Sequence, residues 1–321
     1  MSTQIHRYLP LAATALVLAG LFGVASVLYP NFASPLVVAN IFRSNAFLGV
    51  IAIGMTFVIL SGGIDLSVGT VLAFSTILIA KLAALGWHPA LAIGIALGAG
   101  TAFGAAQGSL IQVYGLPPFL VTLAGLFFAK GMAFVVHLQS LGIDHPWFSS
   151  VARYQFKVFG NAPVTAPTLI FLALLALALV LAHGTRFGRN VYAVGGSESS
   201  AVLMGLPVGR TKIAVYAFSG FCAALGGTAY ALSTRSGNPA IGLGMELDAI
   251  ACTVIGGTLL TGGVGLVAGT LLGVLIFGTI KTALDFDGSL DSSWLRIAMG
   301  ALLLVFIVLQ RALSGREAHP D

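Results

Sequence analysis

The chain has 321 residues, of which 58% are hydrophobic and 8% charged, with a net charge of +5 and a mean hydropathy of +1.01. A water-soluble domain carries about 25% charged residues, so this composition excludes a soluble globule. The basic residues lie at the ends of apolar stretches and not in one dense patch, which excludes a nucleic-acid partner. Lipid leaves backbone groups without partners outside a helix or a closed barrel. The apolar runs are too long and too continuous for the ~10-residue alternating strands of a barrel, so the expected fold is all-α, a polytopic membrane helical bundle.

A span needs roughly 20 apolar residues. In chain order the predicted spans are 9–28, 36–60, 66–85, 90–113, 119–138, 167–183, 213–233, 247–260, 264–284 and 294–310, about ten transmembrane helices. The first run is longer than the ~7–15 residues of a signal-peptide core, and no clear cleavage site follows, so it is read as a helix. Almost no loop separates spans two and three, at Ser61–Asp65, or spans eight and nine, at Thr261–Gly265. Glycine makes up 41 residues. Gly100, Gly104 and Gly108 recur at every fourth position, as do Gly265, Gly269 and Gly273, and small residues at this spacing let membrane helices approach closely. Cys222 and Cys252 lie inside apolar stretches and read as buried thiols.

Orientation is read from lysine and arginine. Arg186, Arg189, Arg210 and Lys212 crowd the loop between spans six and seven, Arg311 and Arg316 follow the last span, and Arg7 precedes the first. An even span count puts all three regions in the cytoplasm. Arg153, Lys157, Arg235 and the acidic stretch Asp285–Asp291 then fall outside.

Residues 62–74, GGIDLSVGTVLAF, align without gaps to 262–274, GGVGLVAGTLLGV, with six of thirteen positions identical. Glycine-rich apolar helices also resemble one another by chance. Read as an internal repeat, such interrupted segments in matching positions point to a transport pathway. An even number of spans between the two makes the repeat parallel, an odd number inverted.

Ionisable residues inside spans are functional candidates because they are costly to bury. Asp65 sits in SGGIDLSVG, between Ser61, Gly62 and Gly63 on one side and Ser67 on the other. It either lines a hydrophilic path at a broken helix or caps a helix beginning at Leu66, and the two roles are compatible. Glu246 and Asp248 open another span, where the helix dipole favours acids. Lys130, in GLFFAKGMAF, is the deepest charge: it pairs with an acid, snorkels, or marks a misplaced boundary. DFDGSLD at 285–291 begins like a calcium loop, but its twelfth position is Arg296 where a bidentate Glu is needed. The chain has no GxxxxGK[ST] phosphate loop and no HExxH motif, so neither ATP hydrolysis by that route nor a metal site is expected.

The loop between spans six and seven contains a short element, Glu198, Ser199, Ser200, Ala201, Val202, Leu203, Met204 and Gly205, with Ser197 as a helix N-cap and Gly205 followed by Pro207 as a stop. About two turns are not stable alone in water. Its apolar residues therefore pack either on its own bundle or on another protein.

These residues together resemble the permease subunits of bacterial ABC sugar importers of the ribose/galactofuranose group. The resemblance covers essentially the whole chain and rests on 45–74, 185–220 and 244–273. Within the group the chain is most similar to a permease of a galactofuranose importer. The resemblance implies that residues 1–321 form a single transmembrane permease domain of a multi-pass inner-membrane protein with both termini cytoplasmic. It implies a cytoplasmic ATP-binding subunit, a second permease subunit, a periplasmic sugar-binding protein and a sugar substrate. No cofactor is expected in this chain, since ATP and magnesium would sit on the partner ATPase. Glu198–Gly205 match the family's coupling helix, and the SGGIDLSVG and ELDAIA segments are expected to line or gate the sugar path. An ion-coupled secondary transporter is the alternative. It would need titratable groups near the membrane midplane, and the spans supply few beyond Lys130.

Overall fold

The computed structural model describes residues 2–157, 162–289 and 292–314. Arg316 and part of the acidic stretch at 285–291 lie outside the described residues. The elements run α1 (Ser2–Leu28), α2 (Pro35–Leu60), α3 (Val68–Ala84), α4 (Pro89–Tyr114), α5 (Pro118–Val136), β1 (Leu141–Gly142), α6 (Pro146–Arg153), β2 (Gln155–Lys157), β3 (Pro163–Thr165), α7 (Ala166–Gly184), α8 (Arg186–Gly196), α9 (Glu198–Leu203), α10 (Val208–Thr234), β4 (Ser236–Gly237), α11 (Met245–Ile255), α12 (Val267–Asp287) and α13 (Ser292–Ser314). The chain is an all-α membrane bundle. Seven described helices are long and apolar enough to cross a bilayer (α1, α2, α4, α5, α7, α10 and α12), and α3 and α13 are shorter apolar helices. The small strands among the described residues form two antiparallel ribbons, β1 with β4 and β2 with β3.

Helix starts follow local chemistry. Proline, which needs no N–H partner, opens α2, α4, α5 and α6. Ser34 caps α2, and the Nδ1 atoms of His88 and His145 accept the backbone N–H of Ala90 and Trp147. His88 and His145, each followed by a proline, are thus helix caps. Helix α2 is apolar on every side and buried almost continuously from Leu48 to Leu60, so it forms the axis of the bundle.

The glycine spacing does what membrane packing predicts. A Cβ on Gly104 would lie 2.1 Å from Tyr216 O, and one on Gly220 would lie 2.1 Å from Gly100 O, so α4 and α10 touch backbone to backbone. Gly269 and Gly273 bring α12 equally close to Gly256 O and Cys252 O at α11. Gly265 departs from the expectation: it precedes α12 and packs on Thr258 instead of on a helix face.

The eighth predicted span, 247–260, is corrected. Helix α11 starts at Met245 and stops at Ile255. Its 11 residues reach about 16 Å at 1.5 Å per residue, half of a hydrocarbon core of ~30 Å. The missing half is supplied by the non-helical residues 238–244. Gly237 packs on the carbonyl of Thr76, and Gly242 on that of Gly69, so this segment descends along about 10 Å of α3. Glycine and proline inside 236–244 stop the helix from starting earlier.

The two repeated segments meet. The chain breaks after α2 at Gly62 (φ +81°) and after α11 at Gly262 (φ +87°), and the Gly263 N–H donates to Leu60 O at 2.9 Å. Helices α2 and α11 therefore run in the same sense into one shared junction, and α3 and α12 both run away from it. The repeat is parallel in this sense, and Gly69 and its counterpart Gly269 each press on a backbone carbonyl, of Gly242 and Gly256 respectively.

Candidate functional site

Three features carry the chemistry: the junction of the two breaks, the polar cluster around Asp65, and the short helix α9. The junction is built from backbone alone. Gly195, at the end of α8, has room for no side chain, since a Cβ there would lie 1.8 Å from Leu60 O and 2.6 Å from Gly263 N. Gly262 approaches Gly62 and the Gly195 carbonyl, and Gly263 approaches Gly196. The ring of Phe187 stacks on Phe57 at 5.9 Å, and Tyr192 Oη donates to Gly265 O at 2.9 Å. Helix α8 thus clasps both breaks. The sequence reading missed α8; the signal that could have found it is RFGRNVYAVGG, with Phe187, Val191 and Val194 at helical spacing and Thr185 as its N-cap.

Asp65 is 1% exposed. Its Oδ1 accepts the Ser67 backbone N–H at 2.9 Å and the Ser67 hydroxyl at 2.6 Å, and its Oδ2 accepts the Ser219 hydroxyl of α10 at 2.7 Å. Ser67 Oγ also lies 3.2 Å from Gln107 Oε1 on α4. The hydroxyl has one hydrogen, and the short contact to the carboxylate takes it. Thr122 of α5 and Tyr216 of α10 reach the Ile64 carbonyl beside it, and Gln107 Nε2 is buried without a partner among the described residues. The carboxylate therefore ties the break to α4 and α10. It caps the Ser67 N–H, one residue before α3 starts at Val68, where a cap to a helix starting at Leu66 was expected. Ser61 is buried and donates to Val58 O; Gly63 leaves room for the Tyr216 hydroxyl.

A prediction follows for this cluster. Asp65→Asn keeps an acceptor for Ser67 and gives the Ser219 hydroxyl a group to meet, so uptake should stay within roughly threefold of wild type. Asp65→Ala leaves the Ser67 N–H and the Ser219 hydroxyl without partners at about 1–3 kcal/mol each, while the Ser67 hydroxyl turns to Gln107 Oε1, and membrane levels of the protein should fall sharply. Quantitative immunoblots beside uptake rates check both. A well-expressed Asp65→Asn protein without uptake would show that the charge itself is required.

Glu246 is buried, and both its carboxylate oxygens accept the Gly244 N–H at 3.0 and 3.1 Å. Asp248, partly buried, lies in the field of Arg296 and Lys281. Lys130 lies in the field of Glu246 but makes no ion pair among the described residues. Its three N–H groups donate to Pro239 O, Ala240 O and Ile241 O at 2.8, 2.8 and 2.9 Å. Lys130 is only partly buried, and three charge-assisted bonds offset the water its ammonium gives up.

Helix α9 is capped at both ends. Ser197 Oγ accepts the Ser200 N–H at 3.2 Å. At the other end Leu206 N–H donates to Ala201 O and Gly205 N–H to Val202 O, with Gly205 at φ +72°. This is a Schellman stop that only glycine adopts without strain. Ala201 is fully buried against Val194, Val208 and Leu206, while Val202, Leu203 and Met204 are 57%, 88% and 66% exposed. Glu198 pairs with Lys212 at 2.6 Å and so ties α9 to the start of α10; Ser199 faces solvent. The helix is anchored to its own chain by one small residue and offers three large apolar ones outward.

Comparison with known proteins bears on this arrangement. A family model described as the branched-chain amino acid transport system / permease component matches residues 37–308. The inner membrane ABC transporter permease protein YjfF of Escherichia coli K12 is 47% identical, over 99% of this chain and 97% of its own. The fructose import permease protein FruG of Bifidobacterium longum is 39% identical, over 87% of this chain and 83% of its own. The ribose import permease protein RbsC of Bacillus subtilis is 38% identical, over 91% and 90% respectively. No solved structure matches the chain.

Proposed function

Since the chain belongs to the branched-chain amino acid transport system / permease component family and is a ribose-type sugar ABC permease, we propose that it is the membrane subunit of an ATP-driven importer that moves a galactofuranose-like monosaccharide. The single observation that carries this reading is α9: a rigid, doubly capped helix with Leu203 88% exposed, continuous with membrane helices and joined through α8 to both chain breaks. A permease without a phosphate loop must receive the motion of nucleotide closure through a protein contact, and this element supplies one. The partners are a cytoplasmic ATPase, which holds ATP and magnesium, a second permease subunit and a periplasmic binding protein that delivers the sugar. Residues 1–321 act as one transmembrane domain. Lys130 is not left over to couple an ion, because its donors are taken by backbone carbonyls.

The test is reconstitution of the complete complex in vesicles, with the binding protein outside and ATP inside. Galactofuranose should be taken up faster than ribose, fructose or xylose, and only with ATP. Uptake that persists without ATP and follows an ion gradient would overturn the reading.

Both termini and residues 184–212 belong on the cytoplasmic side in this proposal. The lysine and arginine placement supports it, as does the Thr14 hydroxyl, which donates to Ile255 O at the junction end of α11 and so sets the start of α1 toward that end. Exposed Ser199 offers a direct check. Ser199→Cys should resist an impermeant maleimide on intact cells and react in inside-out vesicles, and ready labelling of intact cells would reverse the orientation.

A further inference from the structure

We propose that Ala240 and Leu243, with Leu247 at the start of α11, form a wall of the sugar path, and that Lys130 is the positioning residue that holds this wall in place. The inference rests on the transport reading above and adds to it where the sugar passes.

Residues 238–244 are non-helical and run beside the Gly69–Thr76 part of the apolar helix α3, which packs against α4, α5 and α10. Irregular backbone at membrane depth does not face lipid; it is buried in protein or lines a water-filled cavity. One side of the segment is buried: Gly237 and Gly242 press on α3, and the Asn238 N–H donates to Thr76 Oγ1 at 3.1 Å. The other side is not, for Ala240 is exposed, and Leu243 and Leu247 are 57% and 61% exposed. That open side therefore faces water or a neighbouring subunit, and three features favour water.

First, the carbonyls of residues 239–241 and the N–H groups of Asn238, Ala240 and Gly244 find partners without closing the face. The Lys130 ammonium takes the carbonyls of residues 239–241 from the α5 side, the Asn238 side chain accepts the Ala240 N–H at 2.8 Å, and Glu246 turns back onto the Gly244 N–H. Second, Lys130 and Glu246 are engaged by these bonds, and Ala240, Leu243 and Leu247 present an apolar wall that a neutral, hydroxylated ring slides past without being held. Third, the wall stands at the head of α11, whose far end enters the junction clasped by α8. Movement passed through α8 reaches it along one short helix. Losing the Lys130 tripod frees three carbonyls and loosens the wall without touching α9.

The experiment uses the assembled complex in membranes. Cys222 and Cys252 are buried, so single added cysteines report cleanly. The Leu243→Cys and Leu247→Cys variants should react with a charged methanethiosulfonate reagent at least tenfold faster than Val180→Cys, which is exposed on the regular helix α7, and transported sugar should slow the reaction. Reaction only with a lipophilic maleimide, or no reaction and a disulfide formed with the neighbouring permease, would overturn the assignment. This readout needs no ATP-driven uptake, so it fails or succeeds apart from the transport reading. For Lys130, Lys130→Met should raise the ATP hydrolysed per sugar about tenfold at unchanged complex yield, with partial recovery in Lys130→Arg. An unchanged ratio, with yield alone reduced, would make Lys130 a merely structural residue. If Lys130→Met does not assemble, Lys130→Arg decides, because a planar guanidinium cannot meet three converging carbonyls as an ammonium does.

Discussion

Leu203→Asp is expected to leave the chain in the membrane at wild-type levels while abolishing both co-purification of the ATPase and sugar uptake. Leu203 is 88% exposed and touches neither the α8 side of α9 nor the Ala201 anchor, so the substitution costs the isolated chain little. At an interface the account differs. Burying a leucine stabilises by about 1.5–3 kcal/mol, and a carboxylate in the same apolar contact adds an unpaired charge that costs several more. A few large residues dominate such contacts, and α9 has only Val202, Leu203 and Met204 to offer. The combined loss, on the order of 5 kcal/mol, lowers affinity by more than a thousandfold. Pull-down of the ATPase and uptake should therefore fail together. A variant that still co-purified and transported at the original rate would remove α9 from the coupling role.

Gly195→Ala should be among the most damaging single methyl groups in the molecule, and Gly196→Ala close to silent. A Cβ at Gly195 meets Leu60 O at 1.8 Å and Gly263 N at 2.6 Å, both backbone, whereas one at Gly196 meets nothing within 4 Å. Overlap with a flexible side chain relaxes, but overlap with two backbones does not, and the cost should exceed the ~1–3 kcal/mol usual for overpacking. The clasp of α8 on the two breaks would then open. If Gly195→Ala folds at all, it should hydrolyse ATP with less than a tenth of the wild-type uptake per ATP. Thermal stability and coupling ratio of the two neighbouring variants, measured side by side, separate the effect from general helix propensity. Equal behaviour of the pair would mean that the junction tolerates a side chain.

How far the sequence reached can be judged residue by residue. Ser197 and Gly205 bounded α9 correctly because caps and stops are local chemistry. The stripe Gly100, Gly104, Gly108 announced a close helix contact but not its partner, α10, more than a hundred residues away. Asp65 was recognised as unusual, yet its three donors come partly from Ser219, 154 positions later. Lys130 left three readings open because its actual partners, carbonyls at 239–241, have no side-chain signature.

The eighth span shows the same division. An apolar run at 247–260 satisfies any hydropathy window, but hydropathy is blind to whether the backbone is helical or re-entrant.

By itself the sequence determined the quantities that depend on composition and on neighbours along the chain: residence in a bilayer, helices over barrels, the positions of caps and breaks, and the similarity of the two glycine segments. Only the tertiary structure decided that those segments share one junction, that α8 clasps it, that α11 is half a span, and that a lysine holds the other half. These are contacts between backbones remote in sequence. A backbone carbonyl is the same at every residue, so the sequence cannot mark which one a glycine approaches or an ammonium binds.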